Sequence, residues 1–475
     1  MATDGKKKFW TYLDEMEGDK IVWIVVLLLI LCSILCLFSS TSSLLKGEAT
    51  RIDILKGQII LSLAGIGVLI FCYNIKSLRV WKFFAKWGFL LSLGLLVFVA
   101  GHLNLGVVRA ASVNGSWRIL SVAGQQIHVL EVVKVSMMMY LAWAMDAYRN
   151  GRFDKWFTDP KYAHWADDLR RWTALYIPFV LIFVLALTAS GSAAFITGGL
   201  MLLLIMLGGG KFKDLLVLMA GGLLLLGVVA GLNHVSRSAS NPNGAVFERW
   251  ATIENRLIGA VKDSPAEEIA KTAPVGSRDF QDAIDEIRQP YSAKIAIHQG
   301  KIIGKGPGRS SQRYVVPDFS EDYMFSFIIE EYGIIGGIFV IMIYLSLLAR
   351  GTIIARNCDD FFAKMCVAGL VLLISGQAFL HIFVNVDIGP MTGQTLPVIS
   401  HGTSAFLCFM AAFGVILSLS RIAAKRMKKE QQDAVPLVEL EQVKEEAQAE
   451  QESTLSDLAD FESEKINDEP EYEEV

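Results

Sequence analysis

A chain of 475 residues with 53% apolar and 19% charged side chains carries several apolar runs near the twenty residues that a helix needs to cross a bilayer, which excludes an ordinary soluble globule. The net charge of −4 comes from the segment beyond residue 429, which ends in "KEEAQAEQESTLSDLADFESEKINDEPEYEEV" and whose acidity and lack of aromatic clusters mark it as disordered. Cys32, Cys36, Cys72, Cys358, Cys366 and Cys408 all lie within or beside apolar runs, so no disulfide framework is implied, and no nucleic-acid partner is expected.

The first span begins about twenty residues in, behind "GKKKFW". No small-residue cleavage site follows a short apolar core there, so the span reads as a retained anchor. Apolar windows read against turn and charge signals predict about ten helices, near 20–39, 57–75, 87–103, 128–147, 173–189, 192–208, 213–232, 323–348, 363–386 and 402–422. Lysines and arginines cluster in "GKKK", "KSLRVWKFFAK", "YRNGRFDKW…DDLRRW", "GGGKFK", "LARGTIIARN" and "RIAAKRMKK". With an even number of spans these all fall on the cytoplasmic side, together with both termini; Lys46, Arg51 and Lys56 lie opposite without reversing the balance. The expected fold class is an all-α polytopic membrane protein of about ten transmembrane helices, with a large extracytoplasmic loop between helices 7 and 8. Its parts are a cytoplasmic segment 1–19, helices 1–7 over 20–232, the loop 233–322, helices 8–10 over 323–423, and an acidic cytoplasmic tail 424–475. Loops of that length carry function or are disordered. Within this one, "SPAEEIAKTAPVGSRDFQDAIDEIRQ" reads as mobile, and "YSAKIAIHQGKIIGKG" as lying on the membrane surface.

In "GKGPGRSSQR", Gly304, Gly306 and Gly308 alternate with Lys305, Arg309 and Arg313 nearby. Glycines permit close backbone approaches, and free amides beside guanidinium groups make a cradle for phosphates; the alternative is a flexible turn whose cations face lipid headgroups. No Lys-Ser/Thr pair follows, so nucleotide binding is not expected. Glu321 and Asp322 stand at the start of the eighth helix. They either complement the helix dipole, or the dipole keeps Asp322 ionised in a cleft as a general base. Glu330 and Glu331, in "FIIEEYGIIGG", lie inside an apolar run, where charge faces a cavity or a partner or makes a bond between helices. Glu131 and Lys134 are three apart and share a helix face, as a self-satisfied pair or as the lining of a cavity that holds a pyrophosphate or positions a carboxylate. Trp117 and Arg118, in "NGSWRIL", suit an interfacial anchor. His401, in "PVISHGTSAF", has no clustered ligands beside it, so no metal site is expected there.

The stretch "GKGPGRSSQRYVVPDFSEDYMFSFIIEEYGIIGG" resembles the long signature of the SEDS family (shape, elongation, division and sporulation proteins), a G-x-G-x-G-x-S-x-Q run that leads through a Pro-acid pair to an Asp and then Glu-Glu-x-Gly. "NVDIGPMTGQTLPVISHGTSAF" is similar to that family's N-V…G…P-x-T-G…L-P-x-x-S-x-G block before the last helix. The resemblance covers most of residues 20–423. It implies a peptidoglycan glycosyltransferase of FtsW/RodA type that polymerises lipid II, a disaccharide-pentapeptide on undecaprenyl pyrophosphate, at the outer face of the cytoplasmic membrane.

The family's catalytic Asp falls on Asp322, within "VPDFSED". Its Gln-Pro-Ser-Glu-x-x-Lys element falls on "HVLEVVK", which carries over Glu131 and Lys134 and loses the first three residues. Ser310, Gln312, Thr392 and Ser400 carry over as substrate-binding positions with Lys305, Arg309 and Arg313. Gly304, Gly306, Gly308, Glu330, Glu331 and Pro397 carry over as their support. Where many members have Pro-Asp-Leu-Gly-Thr-Ala this chain reads "TASGSA" at 188–193, and the usual Ser-Tyr-Gly-Gly-Ser is Ser400, His401, Gly402, Thr403, Ser404. On this reading the loop cations and Lys134 meet the charge on the leaving pyrophosphate, Asp322 takes the proton of the acceptor 4-hydroxyl, and a divalent cation, Mg or Mn, could share the pyrophosphate charge. "IIEEYG" and the acidic tail favour the division branch over the elongation branch. The implied partners are the lipid-linked growing glycan, a class B penicillin-binding protein and other division proteins, at the septum. A lipid II transporter is the alternative of another class, since it too would use intramembrane acids and cations.

Overall fold

The computed structural model describes residues 17–40, 51–113, 116–156, 165–236, 265–315, 319–389 and 392–425. The segment before residue 17, the acidic tail, the loop stretch 237–264 and the Pro317-Asp318 pair of the signature lie outside the described residues. Two compact units are present, Met1–Ile422 and Ala423–Val475, and the helical bundle with its candidate site lies in the first.

In chain order the helices are α1 (Lys20–Ser40), α2 (Arg51–Tyr73) and α3 (Leu78–Ala100), then three strands, β1 (Val108–Val113), β2 (Ser116–Val122) and β3 (Gln125–His128). They continue with α4 (Val129–Arg149), α5 (Ala166–Ala189, with a π-turn over Trp172–Tyr176), α6 (Gly191–Leu207) and α7 (Phe212–Ser236). The last six are α8 (Pro265–Thr272), α9 (Arg278–Gly300), α10 (Phe319–Asp322), α11 (Met324–Arg356), α12 (Phe361–Asn385) and α13 (Thr403–Lys425). Ten of these stand at the ten positions where spans are expected; among the described residues seven, α1, α2, α3, α5, α11, α12 and α13, are long and apolar enough to cross a membrane.

Both faces of α1 are apolar, which a helix between a protein interior and lipid requires. Val22, Val25 and Leu29 are buried while Leu27, Leu31 and Leu35 are about half exposed. Its start is fixed by Asp19, whose Oδ1 accepts from the amides of Ile21 (3.0 Å) and Val22 (3.1 Å) as an N-cap, and whose Oδ2 accepts from Arg350 Nε (3.0 Å) on α11. α12 and α13 are mostly buried in the bundle and α2 and α3 mostly turned outward. α4 packs against α3 and α12 with Met137, Met138, Leu141 and Ala144 sealed off.

The differences from the expected elements have local causes. α3 begins nine residues earlier than read, because Lys82 and Lys86 lie inside the helix; Lys82 pairs with Asp146 (3.1 Å) and with Asp360 (2.8 Å), the cap of α12. The small antiparallel sheet was not anticipated. Its β2–β3 turn is Ala123-Gly124, both at positive φ (49° and 86°), the geometry of a two-residue hairpin. Trp117 on β2, expected as an interfacial anchor, stacks on His102 with ring centroids 4.2 Å apart. The sheet runs straight into α4 and so fixes where that helix starts. The stretch read as mobile forms α8 and much of α9, and α9 packs along α11. Lys294 of α9 pairs with Asp387 beyond α12 (2.7 Å), and that carboxylate raises the ammonium above its ordinary value.

Candidate active site

α11 is not one continuous helix. Gly333, at φ 72° and ψ −175°, sits in a region of backbone space that is essentially reserved for glycine. The break frees carbonyls, and the glycine-rich loop takes them: Lys305 N donates to Glu330 O (2.9 Å), Gly306 N to Glu331 O (2.9 Å), and in return Ile334 N donates to Lys301 O (2.9 Å). The loop therefore docks by main-chain bonds into the kink, which satisfies backbone groups where water is scarce.

The amides do form an anion cradle, but the anions are the protein's own. Glu330, fully buried, accepts from Lys305 Nζ (2.7 Å), Ser310 Oγ (2.5 Å), Ser311 N (2.9 Å) and Ser311 Oγ (3.0 Å). Glu331 accepts from Ser39 Oγ (2.5 Å), Gly308 N (3.1 Å) and Ser310 N (3.3 Å). Arg313 is buried, stacked on Tyr314, and donates to Ser39 O (2.7 Å). Lys305, Arg313, Ser310 and the amides of Gly306 and Gly308, expected as parts of a phosphate cradle, all make bonds inside the protein. Gln312 is buried in the short turn that ends the loop. Of the cations assigned to a pyrophosphate, Arg309 alone is exposed and makes no ion pair among the described residues.

Asp322 belongs to a separate cluster. It ends the four-residue turn α10, eight positions before Glu330 and across the non-helical Tyr323 that precedes α11. Asn385 Nδ2 at the end of α12 donates to Asp322 O (3.2 Å), and Asn385 Oδ1 accepts from Ser326 N (2.9 Å) and Ser326 Oγ (2.8 Å). Facing the carboxylate is the strap 392–402. Asp322 Oδ2 lies 3.6 Å from where a Cβ on Gly393 would be, an ordinary van der Waals contact, so the strap's main chain runs beside the carboxylate, and Gly393 takes a positive φ of 57° there. Thr392 O accepts from Ser192 Oγ on α6 (2.6 Å), in the stretch that departs from the family pattern. Ser400 Oγ accepts from Leu396 N (2.9 Å) and donates to Glu321 O (2.9 Å). Pro397 is buried and its carbonyl accepts from Tyr344 OH (2.6 Å). Val398, next along, sits at φ 69°, rare for a β-branched residue, so the strap is held in a strained form of the kind that collects at functional sites.

Glu131 and Lys134 underlie the same strap. Lys134 is 1% exposed, pairs with Glu131 Oε1 (2.7 Å), and donates to Gln377 Oε1 (2.7 Å) and Gln394 Oε1 (3.1 Å). With these three acceptors Lys134 ties the strap to α4 and α12. Replacing Lys134 by Met removes one member of a buried pair and should cost about 3 kcal/mol, read as a lowered unfolding midpoint in detergent.

Sequence reading passed over Gln377, His381 and Asn385, although they stand at i, i+4 and i+8 on α12 and so form a polar stripe on one helix face. All three are at most 1% exposed, and His381 Nδ1 meets Gln394 O at 2.7 Å. That spacing in an otherwise apolar helix was the available signal. Among the described residues no group of three or more His, Cys, Asp or Glu side chains is placed to hold a metal ion.

Comparisons with known proteins bear on the family and the fold. A relative named probable peptidoglycan glycosyltransferase FtsW, from Halomonas elongata, is 27% identical over 377 residues, 78% of this chain and 83% of that protein. Another protein of that name, from Caulobacter vibrioides, is 36% identical over 136 residues, 29% of this chain and 35% of its own length. Peptidoglycan glycosyltransferase MrdB of Escherichia coli is 35% identical over 133 residues, 27% of this chain and 35% of that one; these two matches span about a third of each relative. A structure described as "Structural coordination of polymerization and crosslinking by a peptidoglycan synthase complex" superposes with a TM-score of 0.57 at 19% identity, over 86% of this chain and 98% of its own. The rod shape determining protein RodA of Thermus thermophilus gives 0.51 at 15% identity, over 86% and 98%. The family model described as "Cell cycle protein" matches residues 19–241 and 277–425, most of the chain and both halves of the site, and the chain belongs to that FtsW/RodA/SpoVE family, the SEDS proteins.

Proposed function

We propose that this protein is a peptidoglycan glycosyltransferase that joins lipid II units into glycan strands at the outer face of the cytoplasmic membrane, with Asp322 as general base. The observation that carries the reading is the carboxylate of Asp322, partly exposed just before α11 and set against the main chain of a strained strap that bonds to α4, α6, α10, α11 and α12 hold in place. A base must reach the proton it removes and must be held rigidly. Asp322 takes the proton of the acceptor sugar's 4-hydroxyl as that oxygen attacks the anomeric carbon of the α-linked donor. The bond to undecaprenyl pyrophosphate breaks, and the new glycosidic bond is β. Arg309 is the exposed cation of the loop and meets charge on the lipid-linked pyrophosphate. A divalent cation, Mg or Mn, would supply further neutralisation of that group, although no group of three or more His, Cys, Asp or Glu side chains is placed to hold one among the described residues.

Both termini lie in the cytoplasm on this reading, and a class B penicillin-binding protein crosslinks the strands. The relatives carry both division and rod-shape names, and the long acidic tail favours division at the septum. The purified protein with its cognate transpeptidase is expected to convert fluorescent lipid II into a ladder of glycan strands. Translocation of lipid II across liposomes with no polymer formed would replace this reading with the transporter.

A further inference from the structure

The turn that carries Asp322 is four residues long, too short to hold itself by helical bonds. Its neighbour Glu321 is gripped twice by consecutive strap residues: Ser400 Oγ donates to its carbonyl (2.9 Å) and His401 Nδ1 meets its side-chain Oε1 (3.2 Å). Ser400 is also bonded to the strap's own main chain, so these contacts fix the distance between the turn and the strap, the two sides of the Asp322 cleft. We infer that His401, through Glu321, is a positioning residue for Asp322 and sets the width of the cleft in which the base meets the acceptor hydroxyl. This rests on the glycosyltransferase reading.

The pair is 36% and 44% exposed. An exposed pair of this kind contributes little to folding, whereas a misplacement of about 1 Å at a reacting group costs about a hundredfold in rate. The two effects can therefore be told apart. The charged group that β3 brings near the turn is His128, which stands within electrostatic reach of Glu321 and also of Glu131 and Lys134 on α4 and Arg118 on β2; the hydrogen bond to the Glu321 carboxylate comes from His401.

The test compares wild type, His401→Ala, Glu321→Ala, the double variant and His401→Asn in steady-state polymerisation of lipid II with the transpeptidase present. Asn places its amide nitrogen where Nδ1 stands. The expected result is kcat lowered about tenfold in both alanine variants with KM little changed, no further fall in the double variant, recovery in His401→Asn, and unfolding midpoints within about 2 °C of wild type. His401→Ala at wild-type kcat, or His401→Asn as impaired as His401→Ala, overturns the positioning role while the glycosyltransferase stands. A wild type that makes no polymer overturns the underlying reading, and this one with it.

Discussion

Substituting Gly333 by Ala is expected to destabilise the protein by more than about 4 kcal/mol, a size reserved for a few mechanisms. Two of them act together here. The φ of 72° with ψ of −175° costs an alanine several kcal/mol of backbone strain, and its Cβ would stand 2.1 Å from Ile302 O, a main-chain atom that cannot swing aside. Relief requires moving the loop out of the kink, which unmakes the bonds from Lys305 N and Gly306 N and uncovers Glu330 and Glu331, two buried carboxylates that are costly without donors. Gly304 faces the same obstacle from the other side, since its Cβ would lie 2.2 Å from Glu331 O, and Gly304→Ala should behave alike. Gly308→Ala, at positive φ but with no atom within 4 Å of the added carbon, should cost far less. Thermal unfolding in detergent, followed by tryptophan fluorescence, ranks the three.

The ten helices were legible because each is an apolar run bounded by charge or turn residues, and a bilayer leaves the backbone few other solutions. The β-sheet was not, because its turn uses Ala-Gly where the strong hairpin signal is Asn-Gly or Asp-Gly and its strands mix apolar with polar residues without strict alternation. Asp322 and the residues around the strap were singled out through ordered motifs, and the fold brings them side by side. The internal partners of the glycine loop were not legible for a physical reason: a cradle of amides and cations looks the same in sequence whether or not it docks on two carboxylates 19 to 25 residues further on. Only the kink at Gly333 decides between them, and one glycine between "EEY" and "IIGG" does not announce a kink. The further acceptors of Lys134 were likewise not legible, because Gln377 and Gln394 are more than 240 residues distant in the chain.

Asp322→Asn is expected to lower polymerisation by about a thousandfold, within the range for loss of a general base, and to leave the fold intact. The amide has the carboxylate's shape, and the anchor from Asn385 is to the main chain of residue 322, which the substitution does not alter. The bond from Ser400 is likewise to the main chain of Glu321. An amide cannot accept the proton that the acceptor hydroxyl must lose, so the defect should appear in kcat with substrate affinity retained. The decisive measurement is therefore glycan strand formation from fluorescent lipid II by wild type and Asp322→Asn, each with the cognate transpeptidase and matched for unfolding midpoint. Strands from wild type and none from the variant are the predicted result; equal strands from both would remove Asp322 as the base.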